Sequence, residues 1–293
     1  VTDLVPKWAG LFPKAKFPQF VELVKTLLAA RGLTYTGNDR VDLSTAGDYM
    51  VLHNITAKCA QKPERKWTRL INDFLDRNLA SFASFENLKA REVNFEKIRG
   101  DLRVRLIAAG GDIATDALQI VTRPYIVGVL QALAIDLPDD VSYVVREKAR
   151  LWNLPDEELF TIALENVRQE PPLKPYKKVA PDGTEVTALD SDSPYAATHV
   201  LWLGDYIHGL SERGALVGLP YRNVIYVHAL SSGSRLAAKD VWGLTLGDYR
   251  HEIGALSPHL YWWRGGQTFV PLTRVTRGVP EYDPPDDFLA AAS

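Results

Sequence analysis

Phe17, Phe20, Val21, Val24, Leu27 and Leu28 recur at the three-and-four spacing of one helix face, with Glu22, Lys25 and Arg31 off the stripe and Gly32 as a stop. That pattern predicts an amphipathic helix. Short β-type runs follow at 33–36, 40–43 and 48–55, broken by Gly37-Asn38-Asp39 and by 44–47, and read as an antiparallel meander. Pro63 suits the first turn of a second helix, whose stripe is Trp67, Leu70, Ile71, Phe74, Leu75 and Leu79. Helical spacing continues less regularly through 81–99.

In the middle of the chain the pattern predicts strands at 102–107, 118–122 and 126–135. The last is almost unbroken in apolar residues, as expected of a strand buried on both faces. Pro155 ahead of Asp156-Glu157-Glu158 starts a helix with its acidic groups where the helix dipole favours them. Pro171, Pro172, Pro175 and Pro181, with the polar run 190–192, make 171–193 a linker or long loop. Beyond it lie a helix capped by Ser193, opened by Pro194 and running to about Arg213, then strands at 217–220 and 224–230. A helix capped by Ser234 follows, and a hairpin at 260–263 and 268–275 turns on Arg264-Gly265-Gly266. Strands in local groups separated by helices define an α+β fold with antiparallel sheets of short strands packed by amphipathic helices. The expected organisation is an N-terminal α+β region at 1–170, the Pro-rich segment 171–193, a C-terminal α+β region at 194–280 and a mobile acidic tail at 281–293.

Several strings carry a resemblance: Arg31-Gly32-Leu33-Thr34-Tyr35-Thr36 with its meander, LQALAIDLP at 130–138, EELFTIALENVR at 157–168, YAATHVL at 195–201, GLPYRNVIY at 218–226 and the hairpin at 257–272. With these the chain resembles the YtpQ-like family of bacterial proteins, whose function is uncharacterised. The resemblance implies a cytoplasmic bacterial protein of about this length. It carries over no catalytic residue.

Composition narrows the class. The 293 residues are 46% apolar and 10% aromatic, which excludes a disordered or low-complexity protein. A net charge of −2 argues against a dedicated nucleic-acid binder. Charge is uneven, with 18 basic and 12 acidic side chains in 1–110 against 8 and 15 in 111–199. The one cysteine, Cys59, allows no intrachain disulfide. Residues 1–20 do not read as a signal peptide, and no run approaches the roughly 20 apolar residues of a membrane span, so the expected location is the cytoplasm.

Motifs for chemistry are wanting. The chain has no G-x-S-x-G elbow, no phosphate-cradling glycine loop and no HExxH, so no cofactor or metal is expected. On one extended strand His53 and Cys59 would lie about 20 Å apart, too far for a nucleophile and its base, and a buried inert thiol fits Cys59 better. Asp205 and His208, three apart on the expected helix, could share a metal but lack a third ligand; His199, His228, His251 and His259 share the same half of the chain. Asp136, Asp139 and Asp140, and Asp182, Glu185, Asp190 and Asp192, form acidic groups without the calcium-loop pattern. Lys62, Arg65, Lys66 and Arg69 make a basic helix face, read first as a solvated one. The hairpin residues Trp262, Trp263 and Arg264 are the candidate recognition residues. Adjacent strand side chains point to opposite faces, so both tryptophans cannot enter one core. The leading expectation is therefore a non-enzymatic binding or adaptor protein whose partner is another protein. The alternative is a hydrolase or nucleotide-acting enzyme with a site in the C-terminal half, assembled from Asp205, His208, Arg222 and His228.

Overall fold

The computed structural model describes residues 5–6, 9–10, 12–37, 39–43, 49–110, 119–138, 140–180, 182–207, 213–231, 234–252, 254–276 and 278–293. The fold is α+β, as the pattern predicts, and divides into two compact units: Val1–Ala90 with Leu137–Asp140, and Arg91–Asp136 with Val141–Ser293.

The first unit is mainly helical. Helices α1 (Phe17–Ala29), α2 (His53–Ala60) and the long α3 (Trp67–Arg91) enclose an apolar core with the two-stranded ribbon of β1 (Arg40–Asp42) and β2 (Tyr49–Val51). The α1 stripe is buried as predicted at Phe20, Val24 and Leu28, and α3 buries Trp67, Ile71 and Leu75. Phe12 packs edge-on against Trp67 with ring centroids 5.2 Å apart, a geometry that aligns the ring edge with the electron-rich face. The strand expected at 48–55 ends at Val51. Ile55, Thr56 and Cys59 are buried at helical spacing on α2, so the periodicity there is 3.6 and not 2.

The second unit holds two main antiparallel sheets and a two-stranded ribbon. In the smaller, β5 (Val129–Asp136) pairs with β3 (Leu102–Ala108), β4 (Thr122–Ile126) and β6 (Val141–Tyr143). The single strand expected at 126–135 is thus β5 plus the end of β4, separated by a turn at Val127-Gly128. Gly128 has φ +80°, and a Cβ there would stand 3.0 Å from the His259 ring, so glycine serves both the turn and the close approach. Short helices α4 (Phe95–Ile98) and α5 (Arg146–Leu151) flank this sheet, and α6 (Asp156–Arg168), starting at the predicted Pro155, buries Leu159, Phe160, Ala163 and Val167.

The larger sheet has six strands in the order β12-β11-β9-β10-β8-β7, all pairs antiparallel. These are β7 (Lys174–Val179), β8 (Glu185–Asp190), β9 (Ala215–Gly218), β10 (Val224–Ala229), β11 (Leu260–Trp263) and β12 (Phe269–Pro271). Residues 171–193, expected as linker, therefore supply two of its strands. Pro175 is tolerated because it sits on an edge strand, where an absent N–H costs no ladder bond. One face packs on a 3-10 segment (Ala196–Trp202) and α7 (Leu203–Tyr206); the other is covered by α8 (Ser234–His251) and α9 (Asp286–Ala291). The helix expected at 194–213 is thus a 3-10 segment followed by one helical turn ending at Tyr206. The expected mobile tail instead forms the last residues of β14 (Val279–Tyr282), paired with β13 (Thr273–Thr276), and α9. Phe288 and Ala292, both fully buried, anchor that helix in the core.

Candidate functional site

The two tryptophans of β11 diverge as strand alternation requires, and each enters its own core. Trp262 joins the α8 face and donates its indole N–H to the Arg213 carbonyl at 2.8 Å; Trp263 joins the opposite face and donates to the Gly266 carbonyl at 2.9 Å. Both are buried, so neither indole is open to a partner. Arg264 stays exposed, stacked over the Trp262 ring at 4.7 Å and paired with Asp287 at 3.3 Å.

The described histidines of the C-terminal half and Asp205 are each held by a different partner. His199 is buried with Nδ1 2.6 Å from the Tyr206 hydroxyl, and His259 is buried with Nδ1 2.9 Å from Thr273 Oγ1. Burial lowers the pKa of both imidazoles, so they are neutral at pH 7. His228 Nδ1 lies 2.8 Å from the Glu185 carbonyl, His251 Nδ1 2.7 Å from the Gly247 carbonyl, and Asp205 pairs with Arg168 at 2.9 Å. His208 and Asp139 lie outside the described residues. Among the described residues no group of three or more His, Cys, Asp or Glu side chains is placed to hold a metal ion. Cys59 is buried on α2, and desolvation pushes its thiol up to about 11, which favours the protonated thiol over the nucleophilic thiolate. Lys62, Arg65, Lys66 and Arg69 are exposed, with Arg69 3.7 Å from Asp73.

The second unit does contain a cleft, of about 840 Å³, lined by Pro171, Pro172, Lys174, Asp190, Ser191, Asp192, Tyr221, Arg222 and Asn223. Three chain segments meet there: the approach to β7, the end of β8, and the turn before β10. Hydrogen bonds lock the last two together. Asn223 Nδ2 donates to the carbonyls of Ser191 (3.1 Å) and Ser193 (3.0 Å), and its Oδ1 accepts from Arg222 Nε at 3.3 Å. Arg222 is held by its backbone as well, its N–H donating to Gly254 and its carbonyl accepting from Ala197. A Cβ at Gly254 would come within 2.9 Å of the Arg222 side chain, so that glycine is the floor on which the arginine stem lies. Behind the wall, Ser193 Oγ donates to Glu170 at 2.7 Å, and Glu170 accepts from Arg103 at 3.2 Å in a pair only 16% exposed on either side. Tyr195, buried, donates to Asp136 at 3.0 Å; desolvation raises the Asp136 pKa, opposed by that bond and by Arg103.

Around the cleft the field is mixed. Lys174 and Arg222 bring positive charge, Asp190 and Asp192 negative. Tyr221 is pushed up to about 12 by burial first, then by Glu252, Tyr176, Asp248 and Asp190. Next to it Lys178 Nζ contacts the Tyr226 hydroxyl at 2.6 Å and Asp248 at 2.8 Å, and Tyr226 also donates to Asp248. Tyr226 is wholly buried while Lys178 and Asp248 keep 32% and 25% of their side chains accessible, and the triad joins α8 to the sheet. Among the described residues no imidazole or thiol lines the cleft, and Ser191 Oγ accepts from the Ser193 N–H. The arrangement can hold opposite charges side by side; among the described residues it contains no nucleophile–base pair.

Of the cleft residues, sequence reasoning singled out Asp190 and Asp192 as loop acids and Arg222 for a different site. Tyr221 and Asn223 entered only within the string at 218–226 and Lys174 not at all as candidates, since sheet pairing alone brings their segments together. No helix is long and apolar enough to cross a membrane among the described residues. No family model matches the chain, and neither a curated protein nor a solved structure does.

Proposed function

We propose that the chain is a non-enzymatic binding protein whose cleft in the second unit receives a polar segment of a partner protein. The observation that carries this reading is the cleft itself: two cations and two carboxylates on a hydrogen-bonded frame, with no activated nucleophile among them. Fixed opposite charges select a partner by register and sign more than they add raw affinity. The YtpQ-like affiliation and a cytoplasmic setting belong to the same proposal, supported by the strings at 130–138, 157–168 and 218–226 and by the lone buried cysteine.

Photo-crosslinking tests the reading. A benzoylphenylalanine placed at Asp192 is compared with one at the exposed Arg69 of α3, in cells of the native host. Crosslinks to one discrete protein from position 192, abolished by Lys174→Glu and absent from position 69, are the expected result. Equal crosslinking from both positions, or none from 192, would refute it.

A further inference from the structure

Strand β7 is an edge of the six-stranded sheet and pairs on one side only. The Ala180 N–H donates to the Thr184 carbonyl at 2.9 Å, and the Ser191 N–H to the Asn223 carbonyl at 3.3 Å. Each fixes the same alternation, from opposite sides of β8: Lys174, Tyr176 and Lys178 direct their backbone groups to β8, while Pro175, Lys177 and Val179 direct theirs outward. The outward row therefore presents the N–H groups of Lys177 and Val179 and the carbonyls of all three residues. The missing N–H of Pro175 falls on that row, so no internal bond is lost. Five of the six residues are exposed, Val179 at 59%. The opposite edge, β12, is three residues long and half-buried.

Charge decides what such an edge accepts. β7 carries three lysines and no acid. A second copy would set lysine against lysine, which disfavours self-pairing. Lys178 is committed to Asp248 and Tyr226, whereas the pair that ties Lys177 to Glu185 is 77% and 65% accessible, the kind worth little in water. Lys174 begins the strand and also lines the cleft beside Arg222. The geometry points to β-strand addition: β7 pairs antiparallel with an extended acidic segment of another protein, whose C-terminal residues run past Lys174 into the cleft. The far end of that segment rests on the cleft reading; the pairing along β7 does not.

The probes are the blocked peptides acetyl-(Thr-Glu)5-amide and acetyl-(Thr-Lys)5-amide, titrated into the full chain. The glutamate peptide should bind about tenfold or more tightly than the lysine peptide, and should slow amide exchange at Lys177 and Val179 but not at Tyr176 or Lys178. Val179→Pro removes one outward donor and no charge, and should weaken binding about tenfold, while Val179→Ala keeps the donor and should stay within about twofold. Equal binding of the two peptides, or protection absent at Lys177 and Val179, would overturn the inference even if Val179→Pro does not fold. Asp192→Lys separates the two readings. If Val179→Pro weakens binding and Asp192→Lys leaves it unchanged, strand addition stands and the cleft reading fails; the reverse pattern sinks strand addition alone.

Discussion

The interiors of the two units are built differently. In the first, Phe12 and Phe20 both meet Trp67 edge-on and lie tilted at 40° to one another, and aliphatic side chains from α1, α2 and α3 fill the rest. Its one buried polar side chain among the described residues is Thr56, whose hydroxyl bonds back to the Leu52 carbonyl at 2.8 Å on its own helix. The second unit buries His199, His259, Ser257, Thr198, Thr245, Thr273, Ser234 and Gln131. Several of these bond across elements distant in sequence, as Thr198 does to the Val104 carbonyl at 3.0 Å. Apolar packing tolerates exchange at nearly constant volume, whereas a buried donor without its acceptor costs its full desolvation. The helical unit is thus held by volume, and the sheet unit by direction as well, which is what a cleft assembled from three separate segments requires.

The largest effect should come from the backbone of the second unit. Gly214 has φ +87°, and a Cβ there would fall 2.0 Å from the Trp263 carbonyl oxygen. Gly214→Ala is therefore strained and overlapped together, and should cost more than about 4 kcal/mol. Hydrogen exchange should show the six-stranded sheet losing protection while α1 and α3 keep theirs; loss spread evenly through both units would mean that they do not fold separately.

Trp67→Ala is the counterpart in the first unit. The indole is 4% exposed and donates to the carbonyls of Cys59 (2.8 Å) and Lys62 (3.0 Å). A loss of about 3–5 kcal/mol, read from urea unfolding, is expected. Trp67→Phe should recover most of it, because volume carries that core; a Phe variant as damaged as the Ala variant would assign the stability to the indole N–H instead.

Tyr261→Phe probes directional bonding at nearly constant volume. The Tyr261 hydroxyl lies 2.6 Å from Ser257 Oγ and 2.7 Å from the Val127 carbonyl, joining β11 to the β4–β5 turn inside the core. Removing it leaves the buried Ser257 hydroxyl and the part-buried Val127 carbonyl each short of a partner and should cost about 1–3 kcal/mol. An unchanged melting temperature would show that the contrast between the two interiors has no energetic content.

Much of the helical unit was legible because its information is local. The α1 and α3 stripes are periodic in sequence, and each buries the face that the period marks. The α+β class, the start of α6 at Pro155 and the opposed directions of Trp262 and Trp263 follow from equally short-range rules, but the burial of both does not. Where the reading departs from the structure, long-range pairing decides. Val127 looks like one more apolar strand residue until the turn at Gly128 is seen to face His259. The prolines of 171–193 look like a linker until Pro175 is found with its ring nitrogen on the outer row of an edge. Nothing within either segment reports its neighbour, so the cleft that β7 and β8 help to line was invisible.

Acid should separate the units with the smallest effect near neutrality. His199 and His259 are buried in the second unit with pKa values lowered from 6.5, chiefly by desolvation, whereas His53 of the first is exposed. A depressed folded-state pKa means that the unfolded chain takes up the proton first. The stability these imidazoles contribute is therefore complete above about pH 6.5 and is lost as the pH falls through their folded values. His199 faces Tyr206 and Trp202, and His259 faces Thr273 and Tyr261, so no carboxylate among these contacts shelters the charged form. Asp136 acts with the opposite sign: its raised pKa adds stability as the pH falls towards 3.8. The wild-type curve mixes the two, and the double variant His199→Gln, His259→Gln isolates the imidazoles. Between pH 7 and 5, peptide-resolved exchange should show the sheet unit of the wild type losing protection before the helical unit, and the double variant losing this dependence. If the helical unit opens first, or the variant keeps the same slope, the buried imidazoles are not what distinguishes the two interiors in acid.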